Sequence, residues 1–129
     1  VCLVFTSEVD DHGIDFVASL SGTGIYYEIQ VKSVCTSSYV YISKEKMCHD
    51  PVNDPLPEKR LICVLNFVGS QEVGVYLILA PEWSRPNDLL RDRGYEGKKS
   101  DPEWGINLSK KNQGILDKYA FDDVIMKLV

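Results

Sequence analysis

Tyr26-Tyr27-Glu28-Ile29-Gln30-Val31-Lys32-Ser33-Val34 is the stretch on which the reading of this chain turns. It is rich in β-branched and aromatic residues, so residues 25–34 are expected to form a strand. Side chains two apart on a strand share a face. Glu28, Gln30 and Lys32 therefore point one way, and Tyr27, Ile29 and Val31 the other. Three polar residues in succession on one face either meet solvent or line a site. Just upstream, Ser21-Gly22-Thr23-Gly24 is a hairpin-type turn. It would lay residues 14–20 beside this strand as an antiparallel partner. That pairing brings Asp15, near the start of the partner strand, toward the Gln30–Lys32 end.

Working outward, residues 3–9 read as a first strand, entering the polar turn Asp10-Asp11-His12-Gly13. Residues 38–42 are a candidate strand, followed by a helix start capped by Ser43. Residues 50–57 hold three prolines and form a loop. Residues 61–68 and 73–80 are two nearly continuous apolar runs around Gly69-Ser70-Gln71-Glu72, and they predict central strands covered on both faces. Residues 81–101 are polar and punctuated, predicting a long loop with one short helix near 88–91. Residues 105–109 suggest a short edge strand. Residues 110–119 and 122–128 carry helical apolar spacing, with Ile115, Leu116 and Tyr119 as the apolar face of the first helix and Val124, Ile125 and Leu128 as that of the second. The expected class is α+β, or mixed α/β, with one mixed central sheet and helices mainly C-terminal.

With 129 residues, 44% hydrophobic and 26% charged, the chain is expected to be a single globular domain spanning 1–129. No apolar run reaches the ~20 residues of a membrane span. The opening Val1-Cys2-Leu3-Val4-Phe5 has no basic leader and no initiating Met. A cytoplasmic location and missing upstream residues are therefore expected. Cys2, Cys35, Cys48 and Cys63 form no CxxC pair. A zinc site from Cys35, Cys48, His49 and Cys63 has no supporting spacing, so buried or half-buried thiols are the expectation. The net charge of −5 tells against indiscriminate coating of DNA. The charge is unevenly placed: residues 1–82 carry 5 Lys/Arg against 11 Asp/Glu, whereas residues 83–118 carry 8 against 6. An acidic half beside a mildly basic half is compatible with a metal site next to a polyanion.

A carboxylate, a second oxygen ligand and a lysine suit phosphodiester hydrolysis. Mg²⁺ keeps several waters and needs only one or two carboxylates. The metal acidifies a bound water, while a lysine serves as a point charge against the developing phosphate charge.

These residues resemble a known family. Gly13-Ile14-Asp15-Phe16, followed by Tyr27-Glu28-Ile29-Gln30-Val31-Lys32-Ser33, is similar to the core of the PD-(D/E)XK nuclease superfamily, and within it to the Mrr-like restriction-endonuclease branch with a QxK variant. The match covers about a fifth of the chain. The resemblance implies a metal-dependent nuclease, in bacterial defence or on a mobile element, with a restriction-endonuclease-like sheet flanked by helices. It implies Asp15 as metal-binding aspartate, Gln30 as variant second ligand, Lys32 as catalytic lysine, and Mg²⁺ or Mn²⁺ as cofactor. Glu28, on the same face, would supply the charge that Gln30 lacks, as a further metal ligand. The family's opening helix, which bears a glutamate, has no counterpart here, and Glu8 is a weak substitute.

Each feature also has a plainer explanation. Glu28, Gln30 and Lys32 would equally form the wet face of an antiparallel strand, with a weak Asp15–Lys32 pair. Asp10, Asp11 and His12 are ordinary turn residues, with His12 as a third metal ligand the less favoured alternative. Arg91, Arg93, Tyr95, Lys98 and Lys99 are candidate substrate-binding residues, a basic run around an aromatic, but mixed charges also suit a solvated loop. Trp83 and Trp104 are expected to anchor that long loop. Three readings stay open: a nuclease, for which cleavage of two strands would call for a homodimer; a catalytically silent relative that binds nucleic acid or protein; and a small-molecule binding or assembly domain in which the motif is coincidence.

Overall fold

The computed structural model describes residues 2–6, 15–20, 24–35, 39–44, 58–68, 72–93 and 102–128. They form a mixed α+β fold with eight strands and two C-terminal α-helices. A five-stranded sheet is built from β1 (Cys2–Thr6), β2 (Phe16–Leu20), β3 (Tyr26–Val34), β5 (Arg60–Val68) and β6 (Glu72–Leu79), in the order β1-β2-β3-β5-β6. All its pairings are antiparallel except β3 with β5, which run parallel. A second, antiparallel sheet sets β8 (Glu103–Asn107) between β4 (Tyr39–Ser43) and β7 (Leu90–Arg93). The expected single sheet is thus two, the first of them mixed and central.

The alternation in β3 and β5 explains the layering. Ile62 and Val64 turn one way, into a core shared with Val40, Ile42, Leu90, Trp104 and Ile106 of the second sheet. Tyr27, Ile29, Leu61, Cys63 and Leu77 turn the other way and pack on Val124 of α2 (Phe121–Leu128). The central sheet is therefore a middle layer, between the small sheet and α2. The continuous hydrophobicity of residues 61–68 follows from this, since both faces of β5 are covered. The same inference fails for residues 73–80: β6 is an edge of its sheet, and Val73 stays 47% exposed. In α2, Asp122 and Asp123 in the first turn and Lys127 in the last suit the helix dipole.

Two more expectations are corrected in the second sheet. Residues 88–91 do not form a helix; Leu90–Arg93 is a strand. The Asn87 side chain accepts from the backbone N–H of Leu89 and of Leu90, at 2.9 and 2.8 Å, as a helix cap would. Leu89 and Leu90 are both fully buried, and pairing with β8 draws the chain into an extended form. Glu103–Asn107 is not an edge strand but the middle one, since it pairs on both sides. Trp83, in the 3-10 turn Ala80–Ser84, stacks on Trp104 at 5.2 Å, and both rings are buried in the core.

Residues 110–119 are helical, but as a four-residue α1 (Gln113–Leu116) between two 3-10 turns. Asn112, only 2% exposed, accounts for the tight first turn. Its amide donates to the carbonyls of Asp88, at 3.0 Å, and Asn107, at 2.9 Å, pinning the turn to the loop before β7 and to the end of β8. The helix expected after Ser43 falls, beyond Lys44, outside the described residues. No helix among the described residues is long and apolar enough to cross a membrane.

Candidate functional site

The hairpin logic puts Asp15 beside Gln30. In the β2–β3 register the last pair is Phe16 with Ile29, and Asp15 directly precedes it. Two hydrogen bonds fix it there. The Asp15 N–H donates to the Ile29 carbonyl at 2.8 Å, and Asp15 Oδ2 accepts from the Val31 N–H at 2.5 Å. Asp15 therefore brackets Gln30 from the neighbouring chain. Its carboxylate stands where a regular ladder would use a backbone carbonyl. It stays exposed, and Oδ1 makes no hydrogen bond among the described residues.

Gln30 is the anomaly of the sheet. Its side chain shares a face with Ile62 across the parallel ladder, and it is 6% exposed. Its Oε1 is buried and has no donor among the described residues. A buried acceptor without a partner costs about 1–3 kcal/mol, so this atom needs an explanation.

Lys32 lies two residues further along the same face, about 7 Å away by strand rise, and opposite Val64. It is half-buried and makes no ion pair or hydrogen bond among the described residues. The weak Asp15–Lys32 pair of the plainer explanation is accordingly not formed.

Glu28 is engaged elsewhere. Its Oε2 accepts from Arg60 Nη2 at 2.6 Å and from Nε at 3.2 Å. Arg60 sits directly opposite Glu28 in the parallel register, and its side chain is only 12% exposed. The sequence offered Lys59 and Arg60 just ahead of an apolar run, but only the pairing of β3 with β5 identifies which of them meets Glu28.

The candidate substrate residues are only partly described. Arg91 is exposed on β7 and lies 3.8 Å from Asp88, a weak i,i+3 pair. Arg93 ends β7. Tyr95, Lys98 and Lys99 lie outside the described residues, as do Glu8, Asp10, Asp11, His12, Cys48 and His49. Cys35 is exposed and Cys63 buried, both as free thiols, and burial pushes the Cys63 thiol up from its ordinary range. Among the described residues no three of His, Cys, Asp and Glu cluster as a metal site. No family model matches the chain, and no curated protein matches it.

Proposed function

We propose that the chain is a divalent-cation-dependent hydrolase of nucleic-acid phosphodiester bonds, with its site on the Asp15–Gln30–Lys32 face. The observation that carries this reading is the buried Oε1 of Gln30, which has no donor among the described residues, is bracketed by Asp15, and lies two residues from a lysine that pairs with none of them. A carbonyl oxygen in need of a positive partner, beside a carboxylate with one oxygen to spare, is a donor set that fits Mg²⁺ or Mn²⁺. Such an ion keeps most of its waters and takes one or two carboxylates. When bound, the cation acidifies a coordinated water and offsets charge on the phosphate.

The chain's own residues do the positioning. Asp15 is held through its backbone and one carboxylate oxygen, which fixes the other oxygen at the rim. Gln30 and Lys32 are carried by an interior strand, paired on both sides. The Lys32 ammonium is a point charge for the attacked phosphate. The Glu28–Arg60 pair neutralises the neighbouring carboxylate.

That pairing also favours a second reading, a catalytically silent relative that binds nucleic acid or protein through the same scaffold, because among the described residues it leaves Asp15 as the one uncommitted carboxylate of this face. Cleavage assays separate the two. Wild-type protein with Mg²⁺ or Mn²⁺ is expected to cut single-stranded or duplex nucleic acid. Lys32→Ala is expected to lose about 10²-fold or more in rate, with unchanged tryptophan fluorescence. Absence of cleavage with either metal, or a Lys32→Ala variant as fast as wild type, refutes the hydrolytic reading.

A further inference from the structure

The outer face of the second sheet carries a pair of tyrosines that the Asp15–Gln30–Lys32 site does not use. Strand pairing places Tyr41, Gly105 and Arg91 in one row across β4, β8 and β7. The neighbouring inward row, Val40, Ile106 and Leu90, is buried in the core. Tyr41 and Arg91 therefore project from the opposite face; Tyr41 is 45% exposed and so is the Arg91 side chain. The centre of the row has no side chain. Tyr39 occupies that space, for a Cβ on Gly105 would collide with the Tyr39 hydroxyl and ring. Tyr39 also packs against Tyr41, ring centroids 4.6 Å apart and planes tilted by 36°.

From this arrangement we infer that the outer face of the second sheet binds single-stranded nucleic acid, with a base stacked on the Tyr41 ring and a phosphate met by Arg91. An exposed tyrosine backed by a second ring has a rigid π-face, and stacking tolerates any base. A guanidinium beside it supplies the complementary charge for a phosphodiester backbone. Arg91 is available, because its contact with Asp88 is long and exposed. Residues 83–118, the stretch of sequence that supplies Gly105 and Arg91, also carry a positive balance, 8 Lys/Arg against 6 Asp/Glu. Duplex is the poorer fit, since its bases present edges rather than faces. The inference deepens the functional reading above by naming the form of its substrate, and rests on it for the kind of ligand, but it needs no cleavage.

The test is anisotropy of a labelled oligothymidylate at low salt in EDTA, which removes any metal-dependent cutting from the readout. Wild type is expected to bind in the micromolar range and to prefer the single strand over a duplex of equal length. Tyr41→Ala should weaken binding about five- to a hundred-fold. Arg91→Ala should weaken it and reduce the salt slope by about 0.7. Both side chains are exposed, and unchanged tryptophan emission verifies each fold. Binding without any cleavage in metal supports the surface while removing the hydrolytic reading. The inference is overturned by no binding, by a duplex preference, or by Tyr41→Ala and Arg91→Ala binding as wild type does. Concentration-dependent self-association lost in Tyr41→Ala, without oligonucleotide binding, also overturns it, in favour of a second copy of the chain.

Discussion

Gln30→Leu should make the metal-free protein more stable, not less. Gln30 is 6% exposed and its Oε1 has no donor among the described residues, so the wild type is expected to carry an unsatisfied acceptor inside the sheet. That cost is about 1–3 kcal/mol. Leucine is of similar length, it faces Ile62 across the ladder, and it needs no partner. Part of the cost returns as lost solvation of the amide nitrogen and altered packing, so a gain of about 1–2 kcal/mol is expected. For a chain of 129 residues this raises Tm by roughly 3–5 °C for each kcal/mol. Urea unfolding followed by the buried Trp83–Trp104 pair measures it. Excess Mn²⁺ should reverse the order: the wild type gains stability by binding, and the variant does not. A Gln30→Leu protein less stable than wild type without metal by 1 kcal/mol or more would show that the amide is satisfied, and the argument for a ligand there would collapse.

Two further outcomes follow from the packing. Gly105→Ala should displace the Tyr39 ring and destabilise by about 1–3 kcal/mol, read from the urea midpoint, because the added methyl lands on that ring. Tyr119 has its phenol raised above the ordinary tyrosine range, first by burial and then by the Glu82 carboxylate 3.4 Å away. Its native state favours the neutral form, so its contribution is intact below pH ~10 and is lost as pH rises through the raised value. Tyr119→Phe should flatten the decline of urea midpoints above about pH 10, and an unchanged decline would count against it.

The parts of the fold legible in the sequence were those that local pattern determines. Period-two alternation in residues 25–34 assigned Glu28, Gln30 and Lys32 to one face, and the β3 register agrees. Helical spacing found the apolar side of α2, where Val124, Ile125 and Leu128 meet the sheet. The antiparallel pairing of β2 with β3 that the sequence predicts holds, and it brings Asp15 to Gln30, while turn residues 21–23 lie outside the described residues. What escaped depends on long-range pairing. Nothing local says that β3 runs parallel to β5, so the capture of Glu28 by Arg60 was invisible. Nothing local separates β4, β8 and β7 into their own sheet. The short helix expected near 88–91 fails for the same reason: the Asn87 side chain accepts from the N–H of Leu89 and Leu90 as a cap would, but burial of Leu89 and Leu90 and pairing with β8 make the segment a strand. The row of Tyr41, Gly105 and Arg91 draws on three segments up to 64 residues apart, which no spacing rule connects.

Electron paramagnetic resonance of Mn²⁺ titrated into wild type and Asp15→Asn addresses the site most directly. Asparagine can still accept from the Val31 N–H, so the strand junction is preserved while the ionic ligand is removed. The account predicts one saturable Mn²⁺ site in the wild type, lost or severely weakened in Asp15→Asn. Free-ion spectra for both proteins, or equal binding by both, would contradict it.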